Sequence, residues 1–324
     1  MPNYPSLWQK TLLRTCLLTA ICASLAIAAS SGPVRAATAP QNVPFVDRQV
    51  ITSTGTYSYQ VFVPVHWDKK KLWPVILFLH GSGERGNDNR AQTKNGIRLL
   101  IGQQMDKFPC VVVCPQCREH TTWTSPEMEE MVLKELDQAI AEFNGNPNRL
   151  YLTGLSMGGY ATWDLAQKYP AKWAAIAPCC GGIVWPHMQS APPPPVPTNA
   201  PPPLPPAGNT NGGPVLSDGT TPAASATPAA PPAPAPPSDQ VSPPAVGDPY
   251  YIAAEKVAHI PVWVFHGEAD PTVPVTESRQ MVAILLSMRA DVRYNEYPGV
   301  GHNSWDYAYK EPGLLGWFMD HKLK

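Results

Sequence analysis

The sequence lacks an excess of charge of either sign. Its 324 residues carry 24 Lys and Arg against 25 Asp and Glu, which gives a net charge of −1. Nucleic-acid-binding proteins concentrate positive charge on one face, because the phosphate backbone supplies much of their affinity. The charge balance therefore predicts no nucleic-acid partner.

The sequence also lacks an apolar run long enough to cross a bilayer. Its longest run, residues 16–29, is shorter than the roughly 20 residues that a transmembrane helix needs. Lys10 and Arg14 precede the run, and a short cleavage sequence ending at Ala36 follows it. This arrangement predicts a signal peptide over residues 1–36, no membrane span, and a secreted or periplasmic mature protein.

Cysteine is too sparse for a disulfide scaffold. Five of the seven cysteines follow the predicted signal peptide: Cys110, Cys114, Cys117, Cys179 and Cys180. Cys110 and Cys114 lie at opposite ends of one predicted strand. At roughly 3.3 Å per residue they are about 13 Å apart, so they cannot share a metal cluster or a disulfide. We expect no metal. Two alternatives stay open: a disulfide between Cys117 and Cys179 or Cys180, or buried Cys110 and Cys114 with the other three as free thiols.

Proline, by contrast, is abundant and unevenly spread. Residues 187–248 hold half of the chain's 40 prolines and contain no Lys, Arg, Phe, Trp or Tyr. Such a composition buries too little apolar surface to offset the entropy lost on ordering. It predicts a disordered Pro/Ala-rich insertion that divides one domain into a first part, residues 37–186, and a second part, residues 249–324.

A serine between glycines lies at a predicted strand-to-helix junction. The segment Gly154–Gly158 follows an apolar strand and precedes a helical pattern, which is the arrangement of a nucleophile elbow. The glycines leave room for a strained turn that lifts the Ser156 hydroxyl clear of the sheet. The alternative is a glycine-rich turn with a capping serine. We interpret Ser156 as a candidate nucleophile.

Such a serine needs a general base and a carboxylate that orients it, in the chain order Ser, Asp or Glu, His. His302 lies in a loop after the last predicted strand and is the candidate base. Asp270 follows the predicted strand 262–265 and is the candidate carboxylate, with Glu268 as the alternative. We favour Asp270, because it lies at the loop tip just before the Pro271–Pro274 turn.

A second loop supplies candidate oxyanion donors. An apolar strand ends in His80-Gly-Ser-Gly83, where the backbone can approach the nucleophile. We predict that the N–H groups of Ser82 and Met157 form the oxyanion hole. His80 is expected to shape the loop by hydrogen bonding.

The hydrophobic pattern alternates between strands and helices. Continuous apolar strands between amphipathic helices indicate an α/β fold with an eight-stranded, mostly parallel sheet covered on both faces. The predicted strands are 49–53, 58–63, 74–79, 111–114, 150–153, 174–177, 262–265 and 292–297. The predicted helices are 91–101, 127–143, 160–169, 275–286 and 314–321.

Five ordered motifs resemble the secreted α/β-hydrolases of the phospholipase/carboxylesterase and dienelactone-hydrolase-like group, including its predicted peptidase or feruloyl-esterase-like branch. These motifs are Phe78–Gly86, Pro115–Cys117, Gly154–Gly159, Trp263–Asp270 and Tyr297–His302. The resemblance implies an α/β-hydrolase fold and ester hydrolysis through Ser156, Asp270 and His302. It does not identify the ester.

The expected function is that of a secreted serine hydrolase of carboxylic esters, with acyl or feruloyl esters of polysaccharides as candidate substrates. Trp123 and Trp305, near strand ends, are candidate substrate contacts, with core or rim packing as the alternative. No cofactor is expected. The competing functions are a serine peptidase with the same triad and a non-catalytic surface-binding protein built on a hydrolase scaffold.

Overall fold

In the computed structural model, which describes residues 43–184 and 247–324, eight strands form one sheet. The strands are β1 (Phe45–Ile51), β2 (Thr56–Phe62), β3 (Trp73–Leu79), β4 (Val111–Cys114), β5 (Gly145–Leu155), β6 (Ala175–Cys179), β7 (Val262–Gly267) and β8 (Val292–Tyr297). Their spatial order is β1-β2-β4-β3-β5-β6-β7-β8. The pairs β1/β2 and β2/β4 are antiparallel and all others are parallel, so the predicted mostly parallel sheet is confirmed.

Seven α-helices are described: α1 (Ile97–Gly102), α2 (Pro126–Phe143), α3 (Met157–Lys168), α4 (Pro249–Val257), α5 (Thr276–Ser287), α6 (Trp305–Ala308) and α7 (Leu314–Asp320). Short 3₁₀ helices cover Ser82–Glu84, Ala91–Thr93 and Met105–Lys107. Within the described part of the chain, no helix is both long and apolar enough to cross a bilayer.

The helices cover both faces of the sheet. Along β3, Val75, Leu77 and Leu79 pack in one core with apolar residues of α2, α3, α4 and α5. The alternate residues Ile76 and Phe78 pack in a second core with α1, α6 and α7. Since successive side chains of a strand point to opposite faces, one apolar strand serves both cores, as its continuous hydrophobic sequence predicts.

The strands that flank the predicted insertion are neighbours in the sheet. β6 pairs with β7 in parallel, with Ile176 opposite Val262 and Cys179 opposite Phe265. The predicted signal peptide, residues 1–36, lies outside the described residues, as does the predicted insertion except for Gly247 and Asp248.

The helix predicted over residues 91–101 is wrong as a continuous element. It divides into the 3₁₀ turn Ala91–Thr93 and α1, with Gly96 between them at φ +62°. A Cβ at Gly96 would also lie 2.7 Å from Leu155 Cδ2. The positive φ and this close contact together favour glycine at position 96. Helices α4 and α6 were not predicted.

Candidate active site

Ser156 occupies a strained turn between β5 and α3. Its φ of 54° and ψ of −116° lie in a region that non-glycine residues rarely adopt. A Cβ on Gly154 would lie 2.4 Å from the carbonyl oxygen of Gly158, and a Cβ on Gly158 would lie 1.9 Å from that of Leu79. Both positions therefore require glycine. The turn presents the half-buried Ser156 side chain beyond the end of the sheet.

A chain of hydrogen bonds links Ser156 to the loops after β7 and β8. The Ser156 Oγ lies 2.8 Å from Nε2 of His302, and Nδ1 of His302 lies 2.7 Å from Oδ2 of Asp270. Since the carboxylate can only accept, Nδ1 carries the proton and Nε2 accepts from the serine hydroxyl. The structure thus brings together the three residues that the chain order singled out.

Asp270, and not Glu268, contacts His302. The Oδ1 atom of Asp270 accepts hydrogen bonds from the amides of Thr272, at 2.8 Å, and Val273, at 3.0 Å. Glu268 instead accepts from the amide of Gly299 at 3.0 Å. Burial would raise the pKa of Asp270, but the hydrogen bonds from imidazoles and amides hold this pKa well below its usual value. The carboxyl group is therefore ionised.

The environment of His302 makes it a stronger base than a solvated histidine. Burial alone would lower the pKa of His302, but the hydrogen bond to Asp270 raises it above its ordinary value. The Trp305 ring and the His302 imidazole make a T-shaped contact, with the ring centroids 5.4 Å apart and an angle of 86° between the planes. Trp305 is half-buried, and Tyr307, two residues further on, is 49% exposed.

The loop after β3 packs against the elbow. A Cβ at Gly81 would lie 2.8 Å from Leu155 Cδ1. Ser82 begins a 3₁₀ turn and Met157 begins α3, and the first amides of a helix have no acceptor within it. The two predicted oxyanion donors thus belong to two different segments, which meet where Gly81 approaches Leu155, the residue before Ser156.

His80 ties this loop to its surroundings. Its Nδ1 lies 2.6 Å from the carbonyl oxygen of Gly81, and its Nε2 lies 3.0 Å from the amide of Cys117. The amide must donate, so Nδ1 carries the proton. Burial lowers the pKa of His80 to about 4, which keeps the ring neutral. His80 has the loop-shaping contacts that its sequence position predicts.

The two candidate tryptophans differ in position. Trp123 is only 1% exposed, and its indole donates a 3.0 Å hydrogen bond to the carbonyl oxygen of His80. Trp123 therefore packs beneath the loop that follows β3 and is not exposed to a substrate. This corrects the expectation that Trp123 contacts the substrate directly. Trp305 remains the candidate at the rim of the site.

The five cysteines of the described residues are buried and unpaired, so the free-thiol alternative holds and the Cys117 disulfide does not form. In the described ranges, one group has the spacing of a metal site, with ligand atoms of Cys180, Asp270 and His302 within 4.8 Å of one another. Asp270 and His302 are bonded to each other, and burial raises the pKa of the Cys180 thiol well above its ordinary value. This donor set suits a hydrogen-bonded triad rather than a metal.

One residue of the site escaped the sequence interpretation. The imidazole of His266 is fully buried at the end of β7, and its Nε2 lies 3.3 Å from Oδ2 of Asp270. Its partners come from segments that follow it in the chain, so its role depends on tertiary structure. The only signal in the sequence was its position four residues before Asp270 at a strand end.

Comparisons with known proteins agree with this fold. The model of the alpha/beta hydrolase family matches residues 76–311. A bifunctional acetylxylan esterase/xylanase from Neocallimastix patriciarum is 32% identical over 115 residues, which cover 35% of this chain and 16% of that protein. A poly(3-hydroxyalkanoate) depolymerase from Paucimonas lemoignei is 29% identical over 187 residues, covering 54% of this chain and 41% of the relative.

The same fold recurs among solved structures. A thermostable esterase aligns with a TM-score of 0.61 and 26% identity, over 86% of this chain and 63% of that structure. The chain thus spans less than two thirds of the length of each of these three proteins.

Proposed function

The chain belongs to the alpha/beta hydrolase family, and we propose that it is a serine hydrolase that cleaves carboxylic esters through an acyl-enzyme. The observation that carries this proposal is the unbroken hydrogen-bond chain from Ser156 through His302 to Asp270 at a strained elbow. Esterase names among the relatives and structural neighbours support it.

The geometry supports the following mechanism. As the Ser156 oxygen bonds to the ester carbonyl carbon, its proton passes to Nε2 of His302, and Asp270 stabilises the imidazolium. The oxyanion accepts hydrogen bonds from the Ser82 and Met157 amides, each worth about 2.7–4 kcal/mol. His302 returns the proton to the departing alcohol. A water molecule then attacks the acyl-enzyme by the same route, without a cofactor.

The proposed substrates are acyl or feruloyl esters attached to extracellular polysaccharide. One relative is an acetylxylan esterase/xylanase, and the half-buried Trp305 beside His302 provides an aromatic surface on which a sugar or an aromatic acyl group can stack. The predicted signal peptide, with cleavage near Ala36, would place the enzyme outside the cytoplasm.

A substrate panel tests the proposal. The mature chain is assayed on p-nitrophenyl acetate, methyl ferulate, acetylated xylan and a peptide p-nitroanilide, beside Ser156→Ala and the control Ser287→Ala, which lies at the far end of α5. Ser156→Ala is expected to lower kcat on the esters by about 10⁴–10⁶, with Ser287→Ala near wild type. Ester hydrolysis that survives in Ser156→Ala, or cleavage of the peptide in preference to the esters, would overturn the proposal.

A further inference from the structure

A second imidazole lies against the carboxylate of the triad. His266 is the fifth residue of β7, and its ring is fully buried between this strand, the Asp270–Val273 turn and α5. Nδ1 lies 2.7 Å from Oγ of Ser278, while Nε2 lies 3.0 Å from the carbonyl oxygen of Val273 and 3.3 Å from Oδ2 of Asp270.

These neighbours determine where the ring carries its proton. The carbonyl and the ionised carboxylate beside Nε2 can only accept hydrogen bonds, so Nε2 must be protonated. The Ser278 hydroxyl beside Nδ1 can donate as well as accept. With a proton on Nε2, the His266 ring donates toward Val273 and Asp270, while the Ser278 hydroxyl completes a hydrogen bond at Nδ1.

The proton on Nε2 of His266 lies between two acceptors, and it holds their relative positions. One acceptor is the carbonyl of Val273, which belongs to the turn whose amides hold Oδ1 of Asp270. The other is Oδ2, the atom that accepts from His302. His266 thus holds Oδ2 while the turn amides hold Oδ1, and rotation of the carboxylate away from His302 would break the His266 contact as well.

We propose that His266 is a positioning residue of the triad, which holds Oδ2 of Asp270 against Nδ1 of His302 through a proton on its own Nε2. The inference rests on the proposed function for its effect on turnover, but the proton arrangement can be measured without a substrate. Among the described residues, Glu296 of β8 lies opposite His266 in the sheet and is paired with Arg279 of α5.

Two amide substitutions separate positioning from packing. The amide nitrogen of His266→Gln can reach the place of Nε2 and donate to Asp270, whereas that of the shorter His266→Asn reaches only toward Ser278. Both keep a buried polar group at this point. A third variant, His321→Gln, removes a partly buried imidazole that is bonded to the Trp317 carbonyl far from the triad, and serves as the control.

The readouts are kcat and KM on p-nitrophenyl acetate, the pKa of His302 by NMR titration, and Tm. For His266→Asn we expect kcat to fall on the order of 10²-fold, the effect of misplacing a reacting group by about 1 Å, with KM near wild type. The pKa of His302 should move down toward the ordinary histidine value, because Asp270 no longer holds Nδ1. His266→Gln should retain most activity, and His321→Gln should match wild type.

If both His266 variants kept the wild-type kcat and the wild-type pKa of His302 and only their Tm fell, the ring would merely pack. That result would overturn the inference. Should His266→Asn fail to fold, imidazole nitrogen shifts of the wild-type protein decide instead. They must show a proton on Nε2 of His266, and a proton on Nδ1 alone would refute the inference. A wild-type protein that hydrolyses no ester would refute the proposed function, while the NMR measurements would still decide the role of His266.

Discussion

At the scale of single residues, the two carboxylates of the loop after β7 have separable roles. Asp270 alone reaches His302, while Glu268 binds the Gly299 amide. We expect Asp270→Asn to lower kcat by about 10⁴, because an amide at this position cannot hold the imidazole in its working tautomer. Glu268→Gln, the matched control, should remain near wild type on p-nitrophenyl acetate. An active Asp270→Asn beside a dead Glu268→Gln would reverse the assignment.

The pH dependence of turnover follows from the same contact. The residue type alone predicts an ionisation near 6.5, whereas Asp270 raises the pKa of His302 above that value. Only the neutral imidazole can accept the serine proton, so kcat/KM should rise with pH through an ionisation above about 6.5 and be lost below it. A rate profile that is flat between pH 5 and 8, or one that rises well below 6.5, would contradict a histidine base held by Asp270.

The hydrogen-bonded grouping of Ser156, His302 and Asp270 was predictable because each of these residues carries a local signal. Ser156 lies between glycines, His302 follows the last strand, and Asp270 ends the strand before it. The roles of Trp123 and His266 were not predictable in this way. Both act through partners distant in sequence or in another element, namely the His80 carbonyl and the Ser278 hydroxyl, and nothing in their own neighbourhoods identifies those partners.

At the scale of elements, the elbow depends on how closely α3 crosses the end of β3. A Cβ at Gly158 would lie 1.9 Å from the Leu79 carbonyl oxygen, which is backbone in the middle of the sheet and cannot move aside. We expect Gly158→Ala to lower the free energy of unfolding by more than about 3 kcal/mol, beyond the usual range for overpacking. Denaturant unfolding measures the change.

Gly316 in α7 provides the matched comparison, since a Cβ there meets nothing within 4 Å. Gly316→Ala should raise the free energy of unfolding by about 0.5–1 kcal/mol, because alanine loses less backbone entropy in a helix. If Gly158→Ala proved as stable as Gly316→Ala, the close crossing of α3 and β3 would be wrong.

Helix α2 contains a carboxyl group that weakens the fold as pH rises. Glu135 faces the core, its two oxygens have no hydrogen-bond partner within the described residues, and burial raises its pKa well above the usual value. The folded protein therefore holds Glu135 in its protonated form. The contribution of Glu135 to the free energy of unfolding is complete below pH 4.5, the unfolded-state pKa. It is lost as pH rises toward the folded-state pKa, at up to about 1.4 kcal/mol per pH unit.

Glu135→Gln should remove this dependence. Relative to wild type, the variant's free energy of unfolding should increase between pH 5 and 8, as measured by urea denaturation at several pH values. Asp137→Asn, an exposed acid of the same helix, is the control and should show little change. A Glu135→Gln protein that follows the wild-type pH profile would indicate that Glu135 ionises within the folded protein.

Elements with a continuous apolar pattern were predictable, whatever their length, and elements without one were not. The strand β4 and the helix α2 have the predicted bounds to within one residue, because their apolar periodicity is continuous. Helix α4 was missed although its start carries a signal. Asp248 accepts from the amides of Tyr250 and Tyr251, and Pro249 is the first helical residue, but both resemble the Pro-rich segment before them.

At the scale of the whole molecule, the two flanks of the Pro-rich segment meet at one side chain. The amide of Ile183 lies 3.2 Å from Oε2 of Glu277, and the Tyr250 hydroxyl is hydrogen-bonded to the same residue. Gly182 passes so close that a Cβ there would lie 2.1 Å from Oε2. Described residues on both sides of the segment therefore contact one buried carboxylate of α5.

This arrangement argues that the segment can be removed. We expect deletion of residues 190–246, replaced by a short Gly/Ser bridge, to leave a folded domain with wild-type kcat/KM on p-nitrophenyl acetate, as checked by circular dichroism and ester assays. The flanks already meet at Glu277, the segment offers almost no apolar anchors, and loop closure changes by only about 0.6 kcal/mol per doubling of length.

Glu277→Gln, made in the full chain and in the shortened chain, shows whether the flanks depend on this carboxylate. Because the short bridge joins the flanks directly, the substitution should lower Tm less in the shortened chain than in the full one. If the deletion lowered activity on acetylated xylan but not on p-nitrophenyl acetate, the segment would be assigned to contact with the polymer. Loss of p-nitrophenyl acetate hydrolysis with native circular dichroism would instead mean that the segment helps to form the active site, which would contradict the prediction.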